Sequence, residues 1–67
     1  MKKMIEAIMY NYGFGMNVEE AATRVYCELH RYGYDVCIVN GRYVEVEGQS
    51  FQLRKTRSKG HWTVREF

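Results

Sequence analysis

The residues best suited to chemistry in this 67-residue chain are its thiols and imidazoles. Cys27 and His30 are three positions apart, which would place them on one face of a helix. Cys37 and His61 could complete a four-ligand zinc site. The closely spaced Cys and His pairs of zinc motifs are missing, however, and a free Cys is more often a small buried residue. We therefore predict no metal and no cofactor, with both thiols turned toward the core.

The sequence contains no evident catalytic arrangement. Ser50 and Ser58 both fall at predicted turns, and Asp35, the only Asp in the chain, is not positioned to orient either imidazole. A cysteine beside His30 could be a nucleophile, but a thiol in the core cannot reach a substrate. The segment Gly13-Phe14-Gly15 lacks the third glycine of a phosphate-binding loop and does not follow a strand. The sequence predicts a binding module and not an enzyme.

The distribution of charge points to a partner. The formal net charge is only +2, yet residues 49–67 contain five basic residues and one acidic residue. Residues 17–48 contain three basic and six acidic residues. A basic segment on a mildly acidic body is typical of proteins that contact polyanions. Basic residues also protect sheet edges from aggregation, so charge alone does not decide between a functional and a protective role.

Two helices are predicted in the first half of the chain. Apolar residues at helical spacing indicate a first helix over residues 3–12, and Gly13 is expected to end it in the left-handed conformation. For the second helix, over residues 18–32, Asn17 is the predicted N-cap and Glu20 completes a capping box. Gly33 provides its C-terminal signal. The apolar stripe of this second helix would pack on the core.

The second half of the chain alternates with a period of two, which predicts strands near 34–39, 42–47, 50–57 and 62–66. Turn signals separate them at Asn40-Gly41, Gly48-Gln49 and Lys59-Gly60. Two-residue loops at these turns place one set of apolar residues on a common face: Cys37, Val39, Val44, Val46, Phe51, Leu53, Trp62 and Val64. We therefore predict a single small α+β domain over residues 1–67, in which the long second helix packs on a four-stranded antiparallel meander.

The opposite face of this sheet is the predicted binding site. The same registers place Ile38, Tyr43, Arg54 and Arg65 in one row, with Arg54 directly opposite Arg65. Like charges in that position destabilise a sheet unless an anion lies between them. Aromatic and arginine side chains on a sheet face are also how several folds stack bases and neutralise phosphates. We predict that the face binds a polyanion, with nucleic acid favoured, through Tyr43, Arg54, Arg57, Lys59, Arg65 and Ile38.

Two other partners fit the same face. Ile38 and Tyr43 beside Arg54 match the composition of a protein–protein hot spot. In its size and its Tyr and Met content the chain resembles phage accessory proteins, which implies docking of this face on a host protein. Apolar Val36, Ile38 and Phe67 on an exposed face would instead suit a homodimer. The sequence leaves open whether the first helix covers this face and buries the site.

The N-terminus predicts no targeting segment. The chain opens with basic residues, but Glu6 interrupts the apolar run that follows them, and no small-residue cleavage site appears. No stretch approaches the roughly 20 apolar residues of a membrane span. We expect a cytoplasmic protein with no membrane partner.

Overall fold

The computed structural model of the chain describes residues 1–57 and 61–67. Two helices come first, α1 (Lys2–Tyr12) and α2 (Val18–Arg31). Four strands follow: β1 (Val36–Val39), β2 (Tyr43–Val46), β3 (Gln49–Lys55) and β4 (Trp62–Glu66). The strands form one sheet in the order β1-β2-β3-β4, and each pairs with its neighbour in antiparallel fashion. The predicted α+β architecture is confirmed.

Helix α2 begins and ends at the signals that the sequence carries. The Asn17 side chain accepts a hydrogen bond from the Glu20 backbone N–H at 2.8 Å, and the Asn17 N–H donates to Glu20 Oε1 at 3.1 Å. At the other end Gly33 has φ of +89°, and the Tyr34 N–H donates to the Leu29 carbonyl at 3.1 Å. Both ends of the helix therefore satisfy backbone groups that would otherwise lack partners.

Helix α1 ends at Gly13, but not in the predicted conformation. Gly13 has φ of −77° and ψ of −11°, so the left-handed prediction is wrong. Its carbonyl accepts a hydrogen bond from Trp62 Nε1 at 2.9 Å. A Cβ atom at position 13 would lie 2.5 Å from that same nitrogen. Glycine is needed here because the indole ring approaches the backbone closely, and the contact ties the end of α1 to β4.

Both helices pack on the same face of the sheet, which we call the inner face. Phe51, Val44 and Val46 are fully buried there against Leu29 of α2 and Ile5 of α1, in a single core cluster. The opposite, outer face keeps exposed side chains on β1, β3 and β4. Neither helix covers it, so the question that the sequence left open is answered.

The first hairpin has one more loop residue than the sequence predicts. Asn40 and Gly41 form the turn with φ of +55° and +70°, as their types favour. Arg42 then adds a third loop residue, so Val39 pairs with Tyr43 and not with Arg42. The predicted register of β1 is therefore wrong by one residue.

This slip reverses the two faces of β1. Val36 and Ile38 point inward, while Cys37 and Val39 lie on the outer face, the opposite of the predicted arrangement. The physical reason is burial. Either register places one valine on the inner face. The second inward residue is Ile38 in the observed register and would be Cys37 in the predicted one, and Ile38 buries more apolar surface. Core packing, and not turn chemistry, decides the pairing of this strand.

The second and third hairpins are shifted by two residues from the predicted registers, so their side chains keep the predicted faces. Glu47-Gly48 forms the second turn, with φ of +50° and +83°, and Val44 pairs with Phe51. In the third hairpin Leu53 pairs with Val64. An even shift changes the neighbours of each side chain but leaves the inner and outer sets intact.

Candidate functional site

The outer face consists of cross-strand rows of polar, aromatic and basic side chains. The observed register gives three rows: Val39, Tyr43, Gln52 and Arg65; Cys37, Glu45, Ser50 and Phe67; and Arg54 with Thr63. Phe67 continues the line of β4, because its N–H donates to the Ser50 carbonyl at 2.9 Å. These rows bring together residues from all four strands without contribution from either helix.

Two aromatic rings meet above the middle of this face. The centroids of Tyr43 and Phe67 are 5.9 Å apart, with an angle of 62° between the ring planes. Strand β3 separates their backbones, and strands two apart lie roughly 10 Å from each other. Both rings must therefore lean over β3. Phe67 is 63% exposed, and the Arg65 guanidinium carbon lies 5.4 Å from the centroid of its ring.

The two arginines of the outer face do not face each other directly. Arg54 pairs with Thr63 and Arg65 with Gln52, so the predicted opposition of Arg54 and Arg65 is wrong. They are diagonal neighbours on adjacent strands, about 7–8 Å apart at the backbone, which reduces their repulsion. Both side chains are exposed. Within residues 1–57 and 61–67 no carboxylate forms an ion pair with either guanidinium.

The other predicted site residues have different outcomes. Tyr43 lies on the outer face as predicted, half-buried beside Val39. Ile38 does not: its side chain is half-buried against the core on the inner face, so its predicted outer placement is wrong. Arg57 follows β3 and is exposed. Lys59, with the predicted turn around it, lies outside the described residues.

The apolar surface predicted for a homodimer is divided between the two faces of the sheet. Val36 is 7% exposed and belongs to the core, as Ile38 does in part, and only Phe67 lies on the outer face. Val39, which is 37% exposed, takes the place expected for Ile38. Sequence reasoning missed Val39 and left Phe67 out of the binding set. Comparing the apolar surface that each β1 register would bury could have identified Val39 as an outer-face residue from the sequence.

Both thiols are exposed, so the predicted core orientation of Cys27 and Cys37 is wrong. Cys27 is two residues from the buried Val25 and Leu29, which turns it away from the inner stripe of α2. Cys37 is exposed because of the slip in β1. Across the described ranges no three His, Cys, Asp or Glu side chains are grouped so that they could hold a metal ion.

No family model, curated protein or solved structure matches this chain. Among the described residues, neither helix has the length and apolar content to cross a membrane.

Proposed function

We propose that the outer face binds single-stranded nucleic acid. In this proposal Tyr43 and Phe67 stack on bases, while Arg54 and Arg65 contact phosphates. The observation that carries it is the contact between two rings on an uncovered sheet face, with arginines beside them that lack carboxylate partners in the described chain. Stacking and phosphate contact together are the usual basis of single-strand binding.

The shape of the surface favours a single strand over a duplex. Base faces are available for stacking only where the strand is unpaired. The major groove of a duplex admits a helix or a two-stranded ribbon. The outer face is the broad surface of a four-stranded sheet, which is too wide to enter that groove. A duplex could meet the arginines through its phosphates but would leave the rings of Tyr43 and Phe67 without bases to stack on.

Charge supports the same partner. The strands place Arg54 and Arg65 on the outer face against one carboxylate, that of Glu45. Arg57 comes two residues after β3 and is also exposed. Lys59 belongs to the proposal through its place in the connection between β3 and β4. The diagonal spacing of Arg54 and Arg65 suits two phosphates of one strand.

The proposal is tested by fluorescence anisotropy of a labelled single-stranded oligonucleotide at two salt concentrations. We expect Arg54→Ala with Arg65→Ala to weaken binding about tenfold or more. The slope of log affinity against log salt should fall by about 0.7 for each phosphate that the variant no longer neutralises. The matched control is Lys2→Ala with Lys3→Ala, which removes the same charge from α1. Equal weakening by both pairs would place the contact elsewhere.

The aromatic part of the site has its own test. Tyr43→Ala and Phe67→Ala should each weaken single-strand binding by roughly 5-fold to 150-fold, because base stacking contributes about 1–3 kcal/mol. Tyr43→Phe keeps the ring and should bind nearly as the parent does. If both alanine variants bind normally, the phosphates alone hold the strand and the stacking role is wrong.

Docking on a host protein is the rival that these experiments would reveal. Exposed Val39 beside Tyr43 and Phe67 is the observation in its favour, because apolar and aromatic residues next to arginine suit a protein interface. Absence of oligonucleotide binding at low salt would reject the nucleic-acid proposal. Capture of one specific protein by the parent chain, but not by Val39→Asp, would then support the rival. Ile38→Asp cannot serve as this probe, because Ile38 packs on the core.

A further inference from the structure

Glu45 is the one acidic side chain that the strands place in the middle of the outer face. It lies between Cys37 of β1 and Ser50 of β3 in a cross-strand row. Its side chain is half-buried. Within the described ranges, no donor forms a hydrogen bond to its carboxylate and no basic side chain forms an ion pair with it. A carboxylate that is partly shielded from water and lacks a partner has free acceptor capacity.

Glu45 lines a hollow of about 280 Å³ that is open to solvent. The other residues of the hollow are Val39, Tyr43, Ser50 and Phe67. Tyr43 and Phe67 provide aromatic surface, and Glu45 provides two acceptor oxygens in the same hollow. The arrangement combines a stacking surface with a polar group placed to contact the edge of a planar ring, which is how proteins read unpaired bases.

A face that only bound phosphates would have a higher affinity for the strand without Glu45, because the negative charge of Glu45 repels the strand. Its presence is explained if it contacts a base. A carboxylate only accepts hydrogen bonds, and guanine presents two adjacent donors, N1–H and the N2 amino group. Thymine and uracil present one N–H between two carbonyl oxygens, which repel a carboxylate. Adenine and cytosine present an amino group beside an acceptor nitrogen.

We propose that Glu45 makes the outer face selective for guanine, by accepting hydrogen bonds from N1–H and N2–H of a base stacked on the Tyr43–Phe67 pair. This inference rests on the proposed function, since it assigns a base preference to the same site. Phosphate contacts position the strand, and the Glu45 contact specifies which base occupies the hollow.

The test compares a short labelled oligothymidylate with the same strand carrying one central guanosine. We expect the guanosine strand to bind roughly tenfold more tightly. Inosine at the same position keeps N1–H but lacks the N2 amino group, and should fall between the two. Strands with a single central adenosine or cytidine should bind less tightly than the guanosine strand.

The variant Glu45→Gln separates base reading from charge. It should reduce the preference for guanosine over thymidine and raise the affinity for oligothymidylate, because a repulsive charge is removed. Glu47→Gln removes the same charge from the exposed β2–β3 turn and should leave the preference intact. Circular dichroism should show the same fold for both variants.

Two results would overturn the inference in different ways. Tight binding with equal affinity for all strands, or a guanosine preference that survives Glu45→Gln, would remove the role of Glu45 and leave the proposed function standing. Absence of binding to every strand at low salt would reject the proposed function and the inference with it.

Discussion

The inner and outer faces of the sheet are built from alternate residues of the same four strands, yet they differ in burial, in charge and in whether a helix covers them. On the inner face Val44, Val46 and Phe51 are fully buried under both helices. On the outer face Arg54 and Arg65 are exposed and no helix is present. One face satisfies its contacts within the chain, whereas the other presents rings and charges to solvent.

This difference shows which residues are constrained by folding. A domain of this length has roughly 3–5 kcal/mol of core stability available, so its inner positions leave little freedom. The outer positions contribute less to burial and can be occupied by residues suited to contact with a partner. The contact between Tyr43 and Phe67 and the unpartnered carboxylate of Glu45 lie among these outer positions, where we propose the binding site.

The largest expected effect is the disruption of the inner face. Phe51→Ala should cost about 3–5 kcal/mol by leaving a cavity in the core. That is comparable to the whole stability of a domain of this length, so the variant should be largely unfolded at room temperature. Urea unfolding followed by circular dichroism measures the change. Phe67→Ala, on the outer face, should cost no more than about 1.5 kcal/mol, the upper range for an aromatic pair. Equal destabilisation by the two variants would contradict the division between the faces.

The next effect tests the register of β1 directly. Ile38→Asp should destabilise the domain by about 2 kcal/mol or more, because it places a carboxylate against the core. Val39→Asp, at the neighbouring exposed position, should cost far less. Measuring the free energy of unfolding of both variants shows which of the two residues faces the core. The predicted two-residue turn would require the reverse order, with Val39→Asp the more damaging change.

A smaller effect concerns the hydrogen bond that joins α1 to the inner face. Trp62→Phe removes the donor to the Gly13 carbonyl and should cost about 1 kcal/mol. Tyr43→Phe is the outer-face counterpart and should be nearly neutral, since no described residue forms a hydrogen bond with its hydroxyl. Thermal unfolding of both variants gives the comparison. A neutral Trp62→Phe would mean that the indole contributes through packing alone.

The smallest effects are expected at the two cysteines. Cys27→Ser and Cys37→Ser should each change stability by no more than about 0.5 kcal/mol, because both thiols are exposed. Both should also react with Ellman's reagent in the native protein as completely as in urea. One thiol that reacts only after unfolding would indicate a buried cysteine. If that thiol were Cys37, β1 would have the register that the sequence predicts.

Much of the fold could be read from local signals in the sequence. The capping box of Asn17 and Glu20 and the C-terminal signal of Gly33 form as predicted, and the chain turns at Asn40-Gly41, although with one more loop residue than predicted. These features depend on residues close together in the chain, whose conformations are set by their own side chains and backbone. The alternation along β2, β3 and β4 likewise identified the inner face of those strands.

Only the tertiary structure decided the register of β1 and, with it, part of the candidate site. The sequence identified Tyr43, Arg54 and Arg65 as outer-face residues but exchanged Ile38 for Val39. The predicted direct pairing of the two arginines was wrong for a separate reason, the two-residue shift between β3 and β4. Turn residues tolerate loops that differ by one residue, so they do not specify pairing on their own. Burial under helices that are distant in sequence does specify it, because a one-residue slip moves every side chain of the strand to the other face.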